Sequence, residues 1–432
     1  MIAACVLFAL QLVAQAPIPN TPAGQTLQAF FDAFNSADSA KLATYIKNYD
    51  PTVTVGQLLA FSGQTGGFTL LSIKNSAADK IVFLVKGRSD NIEALGNLQL
   101  ATTAPPKVKV LTIRAIPPGA TIDDIVLTSA LRQQTIQAIS ARLTDFYIYP
   151  DGAKQMIQAV QEHEKRGDYD AMKDGNEFAD ALTRDLRAVS HDKHLFVRYN
   201  PFATKEQPGT EGPHPPSAAE IARYRARLEH DNCSFSRVEV LPRNIGYLKF
   251  GVFADPDICG PTVAAAMTFL AHADAMIFDM RDNHGGDPAM VQLVVSYLFR
   301  EPTHINDMLD RHDNTTRQYW TLPSVPGPRF IGKPVFVLTS SQTFSGAEEF
   351  TYDLKTQKRA TIVGEVTGGG AHPVHGMPAG DHFVIGVPRG RPVNPITKTD
   401  WEGAGVSPDV KVPANDALAE AQKLAEEKLL NK

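Results

Sequence analysis

Cysteine is scarce in this sequence, with three residues in a chain of 432. Neither a C-x-x-C pair nor an H-E-x-x-H segment occurs, so we expect no metal site and no cofactor. Cys233 and Cys259 are the two cysteines beyond the N-terminal segment. They could pair as one disulfide in an exported protein or remain two buried thiols, and the sequence leaves both alternatives open.

Charge of one sign and long apolar runs are also missing. The chain has 42 basic and 47 acidic residues, the basic ones spread along it, so no basic stripe indicates a nucleic acid partner. The membrane-like run at residues 2–13 is too short to span a bilayer. It is followed by Ala14-Gln15-Ala16, a small-x-small cleavage pattern, so residues 1–16 are predicted to be a signal peptide. We therefore expect a protein that is exported to the periplasm or the extracellular space after cleavage near Ala16, without a membrane span.

What the sequence does contain is typical of a globular protein of two or three domains, with 43% hydrophobic and 21% charged residues. Helical spacing followed by several strand-like runs predicts a small α+β accessory domain over residues 17–118. Residues 119–200 have the pattern of a helical subdomain. Residues 201–236 begin with a Pro/Gly-rich loop and are predicted to be a linker with a helix. Residues 237–432 alternate strands and helices, which predicts an α/β core with parallel strand pairing.

Two loops of that core follow predicted strands, where ligands collect in open α/β sheets. The first is Arg281-Asp282-Asn283-His284-Gly285-Gly286. Its paired glycines could expose backbone N–H groups to an anion, or they could form an ordinary Asn/Gly turn.

The second loop, "LTSSQTFSGAEEF", leads into a helix at Ser345. A serine at this place could be a simple helix cap or an exposed nucleophile. A nucleophile needs a base. Lys355 and Lys358 lie along the exposed helix and are predicted to be solvated, whereas His191 and His194 lie where the helical subdomain meets the α/β core.

Five segments occur in the order seen in one enzyme family: "IGYLKFGVF", "AMIFDMRDNHGGD", "SSQTFSGAEEFTYDL", "ATIVGEVTGGG" and "WEGAGVSPDV". With the preceding helices and "LRAVSHDKHLFV", they make roughly residues 121–415 resemble the tail-specific (C-terminal processing) serine peptidases. The similarity is greatest to the branch of the tricorn core protease and interphotoreceptor retinoid-binding protein. The resemblance implies a crotonase-like spiral core. The N-terminal domain resembles the nuclear-transport-factor-2-like cone in pattern only.

The resemblance also implies roles for individual residues. Ser345 matches the nucleophile, Gly346 supplies one N–H of the oxyanion hole, and Gly285 or Gly286 supplies the other. The Ser–Lys branch of the family carries a lysine at the end of a Gly-Glu-x-Thr-x-Gly-Lys segment. Here that segment reads "GEVTGGG" and ends at Gly370, so the lysine base is absent.

In the tricorn-like branch the base is a histidine, which His194 of Asp192-Lys193-His194 matches. Glu402 matches the acidic residue that orients this histidine, usually through a small hydroxyl residue just before it. Lys193 occupies that position here, which is a departure from the pattern. A different contact of Glu402, or Ser190, could replace the missing hydroxyl.

A second departure concerns substrate recognition. Many members of the family insert a PDZ domain before the first core strand, but the 48 residues between Phe196 and Ile245 are too few for one. We therefore predict an exported serine peptidase for peptide or protein substrates, with the N-terminal domain as a candidate for substrate choice. The alternative is a catalytically degenerate protein of the same fold that binds peptides or apolar ligands.

Overall fold

A computed structural model describes residues 17–117, 120, 127–172, 174–202 and 218–431. The predicted signal peptide, residues 1–16, lies outside these ranges, and so do residues 203–217 of the predicted linker. The chain divides into two compact units, Met1–Ile122 and Asp123–Lys432. None of the helices in the described ranges combines the length and the apolar character needed to cross a membrane.

Unit 1 has helices first and strands second, as the sequence predicts for an α+β fold. Its described elements are α1 Pro22–Phe34, α2 Ser39–Asn48, α3 Val55–Thr65, β1 Phe68–Ser76, β2 Lys80–Gly87, β3 Glu93–Leu100 and β4 Val108–Ala115. The strands form an antiparallel meander in the order β1-β2-β3-β4. Buried and half-buried residues alternate along β2, so one face of the sheet is the core face. Phe30 and Phe34 of α1 belong to the same core as Phe83 of this strand.

Unit 2 begins with helices and continues with the alternating core. Its helices are α4 Ser129–Phe146, α5 Pro150–Arg166, α6 Gly175–Ser190, α7 Ala218–His230, α8 Pro256–Phe269, α9 Pro288–Ser296, α10 Gly346–Thr356 and α11 Ala417–Leu430. Its strands are β5 Phe196–Tyr199, β6 Phe235–Leu241, β7 Ile245–Phe250, β8 Ala275–Asp279, β9 His304–Asp310, β10 Thr315–Trp320, β11 Val335–Thr339, β12 Thr361–Gly364, β13 Val374–Pro378, β14 Phe383–Pro388, β15 Gly390–Val393 and β16 Val410–Lys411.

A six-stranded sheet forms the centre of unit 2, in the order β16-β12-β11-β8-β7-β6. All neighbours from β7 to β16 pair in parallel, and only β6 is antiparallel, so the predicted α/β core with parallel pairing is confirmed. Every residue of β8 is buried because both faces of the sheet are covered. Met276 and Phe278 belong to one hydrophobic cluster. Ile277, between them in the strand, belongs to a different cluster that also contains Ala421 of α11.

Two antiparallel sheets were not anticipated from the sequence. One has the order β10-β9-β15 and the other β13-β14-β5. Five of the six residues of β10 are exposed, so the strand lacks the apolar pattern that identifies strands in a sequence. The second sheet joins the helical part to the core, because Phe383 and Ile385 of β14 share a hydrophobic cluster with Leu182 of α6.

The two cysteines of unit 2 form a disulfide. Cys233 follows α7 and Cys259 lies in α8, and the structure joins their sulfur atoms. Both residues are buried in the same hydrophobic cluster. Of the two alternatives that the sequence left open, the disulfide is the one observed.

Candidate active site

Three loops at the carboxyl edge of the six-stranded sheet meet around one cavity. They follow β8, β11 and β12, whose parallel pairing places the ends of these strands side by side. The loops are held by hydrogen bonds between them: Thr343 Oγ1 donates to Met280 O at 2.8 Å, and Phe344 N donates to Asn283 O at 3.1 Å. The site therefore depends on backbone geometry that the sheet sets.

Ser345 precedes the first residue of α10 and has φ 55° and ψ −123°. A non-glycine residue with positive φ is strained, and such residues gather at functional sites. Ser345 N donates to Glu348 Oε2 at 2.9 Å, so the Glu348 carboxylate, one turn into the helix, holds the turn. Ser345 also lines the cavity.

The Glu348 carboxylate connects this turn to the loop after β12. Besides Ser345 N, it accepts hydrogen bonds from Thr367 Oγ1, from Gly369 N at 2.7 Å and from Gly370 N at 2.8 Å. The side chain is fully buried. Burial raises the pKa of Glu348, whereas the hydrogen bonds act in the opposite direction. Glu348 is not among the site residues predicted from the sequence, although its position three residues after Ser345 is that of a helix-capping glutamate.

The Asn283 side chain distinguishes the two glycines of the loop after β8. Asn283 is fully buried, and its Oδ1 accepts a hydrogen bond from Gly285 N at 2.9 Å. The N–H of Gly285 is thus already used. Gly286, with φ 138°, lines the cavity together with Gly346. A Cβ at Gly346 would lie 3.1 Å from Gly286 N, so these two backbone segments are adjacent.

His194 shares the cavity with Ser345 and packs against Phe344 in a tilted arrangement, with 4.8 Å between ring centroids. Arg187 of α6 fixes its segment by donating to Leu195 O at 2.7 Å and to Lys193 O at 2.6 Å. Burial lowers the pKa of His194 to about 4, while the charge of Asp192 acts in the opposite direction. Among the described contacts, no hydrogen bond joins its ring to Ser345. His191, the other candidate histidine, is exposed at the C-terminal end of α6 with φ 55° and does not line the cavity.

Glu402 also reaches this region. One oxygen of Glu402, one oxygen of Asp192 and one nitrogen of His194 lie within 4.8 Å of one another. The Lys193 side chain extends elsewhere, because its Nζ donates to Gly368 O. Among the described residues, the buried atoms His194 Nδ1 and Glu402 Oε1 have no hydrogen-bond partner. The structure therefore brings Glu402 to His194 without placing a side chain of residue 193 between them.

His372 is a second histidine at the site and is not among the residues predicted from the sequence. Its side chain is 2% exposed, and it lines the cavity with His194. Its Nδ1 lies 2.7 Å from Asp192 Oδ2 and 3.6 Å from Glu402 Oε2. The signal was available in "GGGAHP", where a histidine follows the glycine loop, but a single histidine in a loop has no spacing to another ligand or base that would mark it.

The loop position that carries the lysine base in the Ser–Lys branch has no room for a side chain here. A Cβ at Gly370 would lie 2.2 Å from the Phe344 ring and 2.7 Å from His194 Cε1. Contacts below 3.0 Å require a neighbour to move. Phe344 and His194 therefore occupy the space in which a side chain at position 370 would begin. Lys355 is paired with Asp409 at the far end of α10.

The cavity has a volume of about 680 Å³. The side chains of the sheet β10-β9-β15 that line it are both apolar, such as Leu309, and charged, such as Asp310 and Arg317. Arg389 there is paired with Asp310 at 2.6 Å and with Asp313 at 2.6 Å. A space of this size fits a short peptide segment.

The cluster of Asp192, His194 and Glu402 offers one nitrogen and two carboxylates, a donor set that could also bind a cation. In this structure the ring of His372 lies between the two carboxylates and can supply positive charge at that place. Burial by itself would lower the pKa of His372, but the hydrogen bond and charge of Asp192 and the charge of Glu402 raise it. The arrangement is thus suited to hold and move protons.

Comparison with known families gives two matches that lie next to each other. Residues 244–412 match the model of peptidase family S41, and residues 120–242 match the model of the N-terminal domain of that family in eukaryotic IRBP. The predicted α/β crotonase-like core agrees with these matches.

Solved structures with a similar arrangement include three at low sequence identity. A lipoprotein from Streptococcus agalactiae is 14% identical, with a TM-score of 0.45, over 71% of this chain and 99% of its own. The photosystem II D1 C-terminal processing protease is 16% identical, with a TM-score of 0.42, over 67% of this chain and 94% of its own. The tricorn protease is 14% identical, with a TM-score of 0.45, over 83% of this chain and 46% of its own.

Proposed function

Because this chain belongs to peptidase family S41, we propose that it is a serine peptidase. In this proposal Ser345 is the nucleophile, His194 is the general base and Glu402 is the acidic partner of the base. The observation that carries the proposal is the meeting of Ser345, held in a strained turn at the start of α10, with His194 in one cavity. Membership of the family supports serine peptidase chemistry, and the local geometry supports the assignment of these residues.

The reaction begins when Ser345 Oγ attacks the carbonyl carbon of the scissile peptide bond, while His194 accepts the hydroxyl proton. The tetrahedral intermediate collapses when His194 returns that proton to the leaving amine, and an ester of Ser345 remains. A water molecule then attacks the ester, again giving a proton to His194, which returns it to Ser345. The depressed pKa of His194, about 4, keeps the ring neutral and ready to accept a proton at neutral pH.

The developing oxyanion is stabilised by the N–H groups of Gly286 and Gly346. Gly285, which the resemblance left as an equal choice, is the weaker candidate because its N–H already donates to Asn283. The N-terminus of α10 adds the favourable end of a helix dipole at the same place. Donors fixed by the backbone need no reorganisation during the reaction, and this preorganisation is the main source of their effect.

We assign no metal ion to this reaction, because His372 can provide the positive charge between Asp192 and Glu402. The substrate is a peptide or protein, in keeping with the size of the cavity and its mixed apolar and charged wall. Export is supported by the signal-peptide pattern of residues 1–16 and by the disulfide, since disulfides persist in oxidising compartments.

Labelling with a fluorophosphonate probe tests the proposal directly. We expect the wild-type protein to be labelled at Ser345, as located by peptide mass spectrometry, and Ser345→Ala to be unlabelled while remaining folded by circular dichroism. Ser341→Ala is the matched control, because Ser341 is an exposed hydroxyl in the same loop, and it should be labelled like the wild type. Addition of EDTA should leave the labelling rate unchanged. Undiminished labelling of Ser345→Ala would sink the assignment.

A binding protein of the same fold is the second candidate, and two observations favour it. Lys193 replaces the small hydroxyl residue expected before the base, and within the described chain Ser345 Oγ makes no hydrogen bond to His194. Catalytic hydrogen bonds are often long in the absence of substrate, so these observations do not outweigh the assembled site. The same probe separates the two functions, since a degenerate site would leave the wild-type protein unlabelled.

A further inference from the structure

His372 is a buried titratable group at this site to which the proposed reaction gives no step. It follows the loop after β12, and its ring makes one close contact with each of the two carboxyl groups near His194. With 2% of its side chain exposed, it is more buried than a histidine that serves only a surface loop. Its Nε2 is buried and has no hydrogen-bond partner among the described residues.

The contacts of His372 lead directly to the proposed base. Asp192 accepts from two directions: Oδ2 faces His372 Nδ1 at 2.7 Å, and Oδ1 accepts the backbone N–H of His194 at 2.9 Å. Asp192 is itself 2% exposed, so these contacts provide the hydrogen bonds that its buried carboxylate requires. A change at His372 therefore acts on the segment that carries His194.

Glu402 is bound to the same loop. Its Oε2 accepts the N–H of Ala371 at 2.6 Å and lies 3.6 Å from His372 Nδ1. In the absence of a hydroxyl at position 193, the connection that the structure does provide between Glu402 and His194 runs through His372 and Asp192. The carboxylates of Asp192 and Glu402 lie close to each other. If the histidine beside them were neutral, they would repel each other, whereas a cation between them removes this repulsion.

We propose that His372 is a positioning residue for the proposed peptidase reaction. Its imidazolium joins Asp192 to Glu402 and so holds His194 in place. Its positive charge balances the negative charge of the two carboxylates beside His194. This role takes over the function of the small hydroxyl residue that Lys193 replaces. The inference rests on the proposed function for its effect on catalysis, but its effect on the titration of His194 is independent of any reaction.

The charges around His372 determine the sign of the expected effect. Asp192, Glu402 and Asp400 raise its pKa, and Asp400 in turn lies 3.6 Å from Arg391. Tyr149 packs against the ring with 5.6 Å between centroids. The positive charge of His372 is one of the causes that lower the pKa of His194. Removing it leaves the two carboxylates uncompensated, so the pKa of His194 must rise from about 4 towards its ordinary value.

The test compares His372→Gln with His372→Asn. Asparagine can place an amide N–H near the position of Nδ1 and keep the hydrogen bond to Asp192 without the charge, whereas glutamine places its amide near the position of Nε2. We expect His372→Gln to lower the fluorophosphonate labelling rate and kcat by about 10- to 100-fold with little change in KM, as for loss of an outer residue that orients a catalytic group. His372→Asn should recover part of the rate, and in both variants the acid limb of the pH profile should move upward.

A structural role alone would reduce the folded fraction and leave the acid limb of the remaining activity unmoved. Rates within twofold of wild type and an unmoved acid limb in His372→Gln would overturn the proposal while leaving Ser345 labelling, and thus the proposed function, intact. Absence of labelling in the wild type would instead contradict the proposed function.

Histidine NMR titration decides the proposal without catalysis. In Ser345→Ala the ring of His372 should remain protonated above pH 6.5, and His194 should titrate at a higher pH when His372→Gln is added. If the histidine variants fail to fold, the first of these measurements still applies, since it needs only an intact His372. A His372 ring that is neutral throughout the range below pH 6.5 would contradict the proposal.

Discussion

Ser345 has a backbone conformation that favours glycine, with φ 55° and ψ −123°. Holding a residue with a side chain in such a region costs on the order of 1–3 kcal/mol. The cost is met locally, because Ser345 N donates to Glu348 and the turn is closed by further contacts of the loop. Ser345 thus lies in a turn whose backbone conformation normally requires glycine.

This strain predicts an unusual order of stability. Ser345→Gly should have a free energy of unfolding higher than Ser345→Ala by about 1 kcal/mol, because glycine relieves the strain while alanine keeps it. Neither variant should react with the probe, because both lack the hydroxyl. Urea denaturation of the two variants measures the difference. At Ser341, whose φ is not positive, the same pair should show the ordinary order, with alanine at least as stable as glycine. An alanine advantage at both positions would contradict the account.

Helix α10 begins directly after Ser345 and carries two further buried carboxyl groups besides Glu348. Glu349 is 4% exposed and Asp353 is fully buried one turn later. Glu349 accepts a hydrogen bond from Asn306 Nδ2 at 3.0 Å, and within the described ranges neither carboxyl has a salt bridge. Burial raises the pKa of Glu349 to about 7 and raises that of Asp353 well above its usual range.

The raised pKa of Glu349 predicts a loss of stability on the alkaline side. A carboxyl whose pKa is higher in the folded than in the unfolded protein contributes stability that is present below pH 4.5 and is lost as the pH rises through about 7. Glu349→Gln should therefore be more stable than wild type at pH 9, by roughly 2–3 kcal/mol, with little advantage at pH 5. Chemical denaturation at the two pH values measures this. Glu427→Gln on the exposed face of α11 is the control and should follow wild type at both. An equal effect of Glu349→Gln at both pH values would show that the charge is not the cause.

At the scale of elements, the sequence was sufficient to predict strands and helices where the hydrophobic periodicity agreed with the family motifs. The alternation of β7, β8, β11 and β12 with α8, α9 and α10 was predictable because buried parallel strands read as apolar runs between helices. The antiparallel strands β9 and β10, inserted between α9 and β11, were not. His372 could not be found in this way, since its partner Asp192 lies 180 residues away in the sequence. The choice between Gly285 and Gly286 was also beyond the sequence, because it depends on which N–H the Asn283 side chain uses.

At the scale of the whole molecule, unit 2 contains a covalent crosslink, the disulfide between Cys233 and Cys259. It closes a loop with a sequence separation of 26. In the chain-entropy account, a loop of this length contributes about 3.5 kcal/mol by restricting the unfolded chain. The bond connects the segment before β6 with α8 and lies in the core cluster that packs on one face of the central sheet.

Removal of this crosslink should lower stability without changing the site. We expect the double variant Cys233→Ala/Cys259→Ala to unfold at lower temperature and lower urea concentration than wild type, with an unchanged rate of probe labelling in the folded protein. Dithiothreitol should lower the wild-type melting temperature and leave that of the double variant unchanged. Detection of two free thiols in the native protein by alkylation and mass spectrometry would contradict the pairing.

The groups of the candidate active site come from distant parts of the sequence: Asp192 and His194 after α6, Gly286 after β8, Ser345 before α10, His372 after β12, and Glu402 shortly before β16. A ribosome adds them in that order, so Glu402 emerges last. A growing chain that already contains Ser345 still lacks the loop that accompanies Glu402. Under the proposed assignment, the complete site therefore forms only after nearly the entire chain has been synthesised and folded.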